Sequence, residues 1–169
     1  MTRSGRRRLQ FVAGAVAVAG TDLAAKAWAD AALADRTVSA GLLDLRLAYN
    51  PGVAFSLGNS APRALVMVFT AAITAVVAVL GWRIAPTGSR LVRLAAAAIL
   101  GGAVANFADR AGDGVVTDYL HTGWWPTFNL ADVAICLGAA LFVLHTFRTS
   151  PSHTGHADRS SRPPVDTAG

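Results

Sequence analysis

The chain has 169 residues, of which 53% are hydrophobic, and its formal net charge is +5. This apolar content is too high for an ordinary soluble domain of this length, so a membrane protein is the better starting hypothesis. Its lysines and arginines stand singly or at the ends of apolar runs, which argues against a phosphate-binding patch for nucleic acid. The single cysteine, Cys136, excludes an internal disulfide framework, and we expect it to be a small packing residue.

Four apolar runs approach the length of about 20 residues that a membrane span requires. They cover residues 9–28, 62–82, 91–108 and 128–147. The first run follows "RSGRRR" and could be read as a cleavable signal peptide that ends at "ALA". Asp22 and Lys26 would interrupt such a peptide, so we predict a retained helix. The expected fold is an all-α membrane protein with four transmembrane helices.

Arginines collect at one end of these predicted spans. They precede the first span, flank the connection between the second and third, and close the fourth: Arg3, Arg6, Arg7, Arg8, Arg83, Arg90, Arg93 and Arg148. By the positive-inside rule both termini are cytoplasmic, and segments 30–61 and 109–127 lie outside. We predict one transmembrane domain over residues 1–148 and a disordered cytoplasmic tail over 149–169, because the tail is polar and has little to bury.

The first outer segment carries the pattern of a half-exposed strand. In "LLDLRLAYNPGVAFSL" apolar residues alternate with other types from Leu43 to Tyr49, and Asn50, Pro51 and Gly52 are turn formers. Residues 53–57 could return as a second strand. We predict a small β-hairpin or cradle on the outer membrane surface, with an irregular loop as the alternative.

Polar residues of three predicted helices fall at the same membrane depth, near the outer side. These residues are Asp22 and Lys26 of the first helix, Asn106, Asp109 and Arg110 of the third, and Asn129 and Asp132 of the fourth. Intramembrane ionisable groups are usually functional. The alternatives are a structural ion pair in the first helix, a cap pair in the third, and in the fourth an acid favoured by the helix dipole. The dipole alone accounts for an acid there, but not for Asn129 and Asp132 together.

A further acid, Asp118, lies in the apolar segment before the fourth helix, in "DGVVTDYL". Two aspartates held together in a poorly solvated place cannot both ionise readily, because repulsion and desolvation raise the pKa of one. The ionised member could then activate water while the protonated member polarises a carbonyl, which is what peptide hydrolysis needs. No serine triad, metal-ligand cluster or phosphate loop in the sequence competes with this hypothesis.

Four blocks of the sequence resemble the lipoprotein signal peptidase (signal peptidase II) family. They are "TDLAAKAWA", "YNPGVAFSL", "GGAVANFADRAGDGVVTDYL" and "FNLADVAICLG", and they occur in the family's order within residues 20–140. The chain departs from the family pattern at Ala25, Ala105 and Tyr119, and the segment between Asp118 and Asp132 is shorter than is common.

The resemblance implies a bacterial intramembrane aspartic endopeptidase without a cofactor or metal. It would remove signal peptides from prolipoproteins just before a cysteine that carries a diacylglyceryl group, with Asp118 and Asp132 as the catalytic pair. Substrate-binding positions would be Asn50, Asn106, Asp109, Arg110 and Asn129, with Asp22 and Lys26 structural. The expected partners are these prolipoproteins and membrane lipids, and we expect a monomer in the inner membrane with its active site near the outer face.

Two other classes of protein remain as alternatives. A small proton-coupled transporter or channel would also carry buried acids, but it predicts polar residues throughout the membrane depth. A noncatalytic scaffold does not account for two acids that flank one short loop.

Overall fold

The protein, analysed as a computed structural model, is described over residues 1–39, 41–52 and 63–149. Its four helices are α1 (Arg3–Ala32), α2 (Arg63–Ile84), α3 (Arg90–Asp113) and α4 (Leu130–Thr149). Each predicted span overlaps one of them, and all four are long and apolar enough to cross a membrane. The predicted four-helix membrane fold is therefore confirmed. The predicted return strand at 53–57 and residues 150–169 of the predicted tail lie outside the described residues.

Helix α3 is the centre of the bundle and contacts each of the other three helices. Its buried residues are mainly alanine and glycine, which allow neighbouring backbones to come close. A Cβ atom at Gly101 would lie 2.6 Å from the carbonyl oxygen of Ala15 on α1, and one at Gly102 would lie 2.5 Å from that of Ala131 on α4. These contacts hold the polar residues of α1, α3 and α4 at one level.

Helix α2 lies at the edge of the bundle, and Gly81 is its only buried residue. Large apolar side chains on its outer surface, such as Val68 and Phe69, are more than 60% exposed. Exposed apolar surface of this extent marks contact with another apolar medium, and the helix composition favours lipid. Among the described residues of α2, charges occur only at its ends, at Arg63 and Arg83.

A three-stranded antiparallel sheet sits beside the helices, in the order β1 (Val38–Ser39), β2 (Asp44–Asn50) and β3 (Val116–His121). The alternating segment thus forms β2, and the prediction of a small β element is confirmed, but the strands that pair with β2 are β1 and β3. Its long-range partner is β3, which the sequence analysis treated only as an apolar segment. Strand β3 pairs Asp118 with Ala48 and Val116 with Asn50. This register places the side chains of Asn50 and Asp118 on the same face of the sheet, diagonally across the two strands.

The turn between α3 and β3 depends on Gly114, which caps the helix with a φ of 98° in the left-handed region. Only glycine enters that region at little cost. After this turn the chain continues into β3, whose first four residues are all buried. Asp118 is therefore carried into the interior, between the sheet and the helices.

Candidate active site

Asn129 and Asp132 form a reciprocal cap at the start of α4. The backbone N–H of Asp132 donates to Asn129 Oδ1 at 3.0 Å, and the N–H of Asn129 donates to Asp132 Oδ2 at 3.3 Å. This is the geometry of a capping box, in which each side chain satisfies an otherwise unpaired backbone donor. The helix dipole was expected to account only for the acid, and the capping box accounts for both residues, because the spacing of three residues serves both at once.

The cap also fixes where the other end of the Asn129 side chain points. With Oδ1 turned to the helix, Nδ2 donates to Asp118 Oδ1 at 2.6 Å, and the residue is fully buried. Asn129 thus contacts both aspartates. Asn50 reaches Asp118 from the other side, where its Nδ2 lies 3.3 Å from Oδ2. Sequence-distant residues of β2, β3 and α4 therefore converge on the two carboxyl groups.

Burial raises the pKa of the Asp118 carboxyl to about 6, and repulsion by Asp132 acts in the same direction. Hydrogen bonds from Asn129 and Asn50 and the charge of Lys26 oppose this rise. The side chain of Asp118 is only 2% exposed, so removal from water dominates. Asp118 therefore takes up a proton more readily than an ordinary aspartate does.

Lys26 anchors the polar residues of α1 and α3. Its Nζ lies 2.9 Å from Asp22 Oδ2 and 3.1 Å from Asp109 Oδ2, and it donates to Asn106 Oδ1 at 2.7 Å. The Nδ2 of Asn106 donates in turn to Asp132 Oδ1 at 2.8 Å. A continuous chain of polar contacts therefore runs from Lys26 to the aspartate pair.

Asp22 lies closer to the aspartate pair than the sequence suggested, because it also caps α4. Its Oδ1 accepts the backbone N–H of Ala131 at 2.9 Å, next to Asp132. The hydroxyl of Tyr119 lies 3.4 Å from the same oxygen and accepts the N–H of Leu130 at 3.3 Å. Burial raises the pKa of Tyr119, which keeps the phenol protonated. The hydroxyl that distinguishes Tyr119 from phenylalanine thus joins α1, β3 and α4.

Arg110 lies on α3 beside the aspartates, and its side chain is 7% exposed. Its guanidinium packs against Gly52, where a Cβ atom would lie 3.3 Å from both Nε and Nη2. The Nε atom has no hydrogen-bond partner among the described residues. A cavity of about 410 Å³ opens here, and its walls include Leu65 and Phe69 of α2.

A second cavity, of about 440 Å³, is lined by Asp132. Its walls are mostly apolar and include Trp125, Phe128 and Leu137. Cys136 also lines it and is exposed, so the expectation that this thiol is a packing residue is wrong. It stands one helical turn beyond Asp132, on the side of α4 that faces the cavity and not the helices.

The structure brings every predicted site residue to this one end of the bundle. Sequence reasoning missed β3 as a strand, the buried Thr117, whose N–H donates to Asp109 Oδ2 at 2.8 Å, and the aromatic cavity wall. The paired tryptophans before α4 were an available signal for that wall, since tryptophan is common at membrane interfaces. In the parts of the chain described, no three His, Cys, Asp or Glu residues are grouped to hold a metal ion.

Comparison with known proteins gives concordant results. A family model described as "Signal peptidase (SPase) II" matches residues 14–148. A lipoprotein signal peptidase of Chromobacterium violaceum is 42% identical over 119 residues, which are 67% of this chain and 74% of that protein. One of Vibrio parahaemolyticus is 51% identical over 67 residues, or 37% of this chain and only 40% of that protein.

The fold has a counterpart among solved structures. A structure described as a bacterial membrane enzyme superposes with a TM-score of 0.69 and covers 91% of this chain and 94% of its own. The two sequences are 21% identical, so this likeness concerns the fold alone.

Proposed function

The chain belongs to the signal peptidase II family, whose members remove signal peptides from prolipoproteins, and we propose that it does so as an aspartic endopeptidase within the membrane. Asp118 and Asp132 are the proposed catalytic pair. Cleavage would occur just before the diacylglyceryl-modified cysteine of the substrate.

One observation carries the assignment of the pair: the buried residue Asn129 contacts both carboxyl groups, that of Asp118 through its side-chain amide and that of Asp132 through its backbone N–H. A residue that only capped a helix would not need a second aspartate at 2.6 Å from its amide nitrogen. Because both contact one residue, two carboxyl groups from separate segments can act on one water and one peptide bond. That arrangement suits hydrolysis by a shared proton.

The proposed chemistry divides the work between the two acids. Asp132 accepts a proton from a water molecule, which then attacks the scissile carbonyl carbon. Asp118, whose pKa is raised by burial, is the proposed holder of the shared proton and donates a hydrogen bond to the carbonyl oxygen as charge develops there. When the tetrahedral intermediate collapses, the C–N bond breaks and the proton taken up by Asp132 passes to the leaving amine.

The surroundings of the pair suit a substrate that is both peptide and lipid. Apolar cavities of about 440 and 410 Å³ lie beside Asp132 and Arg110, and both are open to the apolar exterior of the bundle. We propose that these surfaces take the apolar parts of the substrate, while Asn50, Asn106, Asp109, Arg110 and Asn129 line the path of its backbone.

Arg110→Ala should weaken substrate binding more than it slows the chemistry. The guanidinium is a planar donor group with an unsatisfied N–H beside the aspartates, so it suits a peptide carbonyl. We expect KM to rise about 10-fold or more, as one lost hydrogen bond to a charged group costs about 1.5–3 kcal/mol. Steady-state cleavage of a lipidated prolipoprotein measures this, with Arg83→Ala at the opposite end of the bundle as the control. Unchanged KM in folded Arg110→Ala would remove Arg110 from the substrate site.

The proposed location is the bacterial inner membrane, with both termini in the cytoplasm and the active site near the outer face. The arginines at the start of α1, around the connection between α2 and α3, and at the end of α4 lie at the end of the bundle away from Asp118 and Asp132. Reporter fusions at Pro86 and after Arg148 should therefore report cytoplasm, and a fusion near Asn59 should report the outside. Reversed signals would put the active site on the cytoplasmic side and contradict this topology.

A proton-coupled transporter or channel is not favoured. The buried ionisable residues of the described chain lie at one end of the bundle and do not continue through the membrane depth. The family match is to a peptidase over most of the chain.

A further inference from the structure

The side-chain amide of Asn106 lies between Lys26 and Asp132, and its orientation is determined by Lys26. An ammonium group has three donors and no acceptor, so whichever end of the amide faces it must be the oxygen. The distance of 2.7 Å from Lys26 Nζ to Asn106 Oδ1 agrees with this requirement. The NH₂ end of Asn106 is therefore turned toward Asp132, where Nδ2 lies 2.8 Å from Oδ1.

The orientation of the Asn106 amide affects which aspartate carries the proton that the pair is proposed to share. A proton on Asp132 Oδ1 would confront the N–H of Asn106, and a proton on Oδ2 would confront the backbone N–H of Asn129, 3.3 Å away. Both oxygens of Asp132 thus face donors and act as acceptors. The oxygens of Asp118 also face amide donors, from Asn129 and Asn50, but Asp118 is the more deeply buried of the two, which favours the shared proton there. If the Asn106 amide were reversed, its oxygen would face Asp132 and favour a proton there.

Lys26 is itself held in one place by ion pairs, so it can keep the Asn106 amide in one orientation. The carboxylates of Asp22 and Asp109 form ion pairs with it at 2.9 and 3.1 Å, and its side chain is 3% exposed. Buried ion pairs of this kind often contribute little net stability but hold one arrangement against others. Lys26 forms no hydrogen bond or ion pair with Asp118 or Asp132, and the Asn106 amide lies between it and Asp132.

We propose that Lys26 is a positioning residue for catalysis, which keeps Asp132 in the role of base by holding the Asn106 amide with its NH₂ group toward it. The proposal rests on the function proposed above and extends it to a residue that the sequence analysis considered structural. The charged and titratable groups around the contacts that link Lys26 to the aspartate pair are Asp22 on α1, Asp109 and Arg110 on α3, Asp118 and Tyr119 on β3, and Asp132 on α4.

The test is a double-mutant cycle on cleavage of a diacylglyceryl-modified prolipoprotein by full-length protein. Lys26→Met removes all three donors, and Asn106→Leu removes the amide. We expect Lys26→Met to lower kcat about 100-fold, as a small misplacement of a reacting group can, while KM changes by less than about threefold. In the Asn106→Leu background, Lys26→Met should lower kcat no further, because the residue through which it acts is already gone.

Two variants separate positioning from a general loss of stability. Gly81→Ala would place a Cβ atom 2.5 Å from Phe11 Cζ, at the end of the bundle away from the aspartates, so it should lower the melting temperature while the folded protein keeps kcat within about threefold. Lys26→Gln is the more conservative change should Lys26→Met not fold. Its amide can present an oxygen to Asn106 and permit the reversed orientation, so kcat should still fall.

Retention of wild-type kcat by folded Lys26→Met or Lys26→Gln would overturn the positioning role. Losses that multiply with that of Asn106→Leu, or that track the melting temperature across the Gly81 and Lys26 variants, would overturn it as well. Wild-type protein that fails to cleave the lipidated prolipoprotein would overturn the proposed function itself, and this inference with it.

Discussion

Asp118→Asn and Asp132→Asn should each reduce cleavage of a lipidated prolipoprotein by about 10³-fold or more. An amide is nearly isosteric with a carboxyl group, so expression and membrane insertion should stay near the wild-type level. It cannot ionise to activate water, however, and it cannot pass a proton to the leaving amine. The expected result is a folded protein that has lost nearly all of its cleavage activity.

The double variant should be little worse than either single one, because residues that act as one unit are not additive. Asp35→Asn is the matched control: Asp35 is exposed and lies on the same side of the bundle, after α1. Its substitution should leave the rate unchanged. Substantial turnover by either folded single variant would refute the aspartic mechanism with this pair, and would make Asp109 the next acid to test.

Gly102→Ala should damage both the fold and the activity, although it adds only one methyl group. A Cβ atom at this position would stand 2.5 Å from the carbonyl oxygen of Ala131 and 2.8 Å from Ile135 Cγ1. The carbonyl is backbone and cannot rotate away, so the first turn of α4 must move. Overpacking of this kind costs about 1–3 kcal/mol. Since Asp132 follows Ala131 directly, a shift of that turn displaces the carboxyl group that we propose as catalytic.

We expect kcat of Gly102→Ala to fall about 100-fold, as for other small misplacements of reacting groups. Thermal unfolding in detergent and steady-state cleavage measure the two effects separately. Gly112→Ala on the same helix is the control, since a Cβ atom there meets nothing within 4 Å. Alanine favours helix more than glycine does, so this variant should be neutral or slightly stabilised. Equal behaviour of the two variants would mean that α3 and α4 are not in the close contact described.

The structure changes how the pair of Asn129 and Asp132 is understood. Their spacing of three residues at the start of an apolar helix is the pattern of a capping box, which local sequence could have predicted. The same spacing leaves the Asn129 amide nitrogen free to reach Asp118 at 2.6 Å. Asn129 and Asp132 therefore cap the helix and also belong to the proposed active site, so neither role excludes the other.

The sequence by itself determined the features that depend on residues close together in the chain. The length of the apolar runs predicts the four helices, and alternation from Leu43 to Tyr49 predicts β2. The common depth of the polar residues on α1, α3 and α4 follows from helix direction and rise, which arginine placement and 1.5 Å per residue supply. These are local periodicities, and no distant partner is needed to specify them.

Only the tertiary structure decided which of those polar groups contact one another. Strand β3 escaped prediction because it is buried on both faces over its first four residues and so shows no alternation. The chain from Lys26 through Asn106 to Asp132 joins residues 80 and 26 positions apart. Whether such groups meet depends on how closely the backbones of α1, α3 and α4 approach. Gly101 and Gly102 permit that approach, and their effect comes from the side chains they lack, which a sequence pattern does not locate in space.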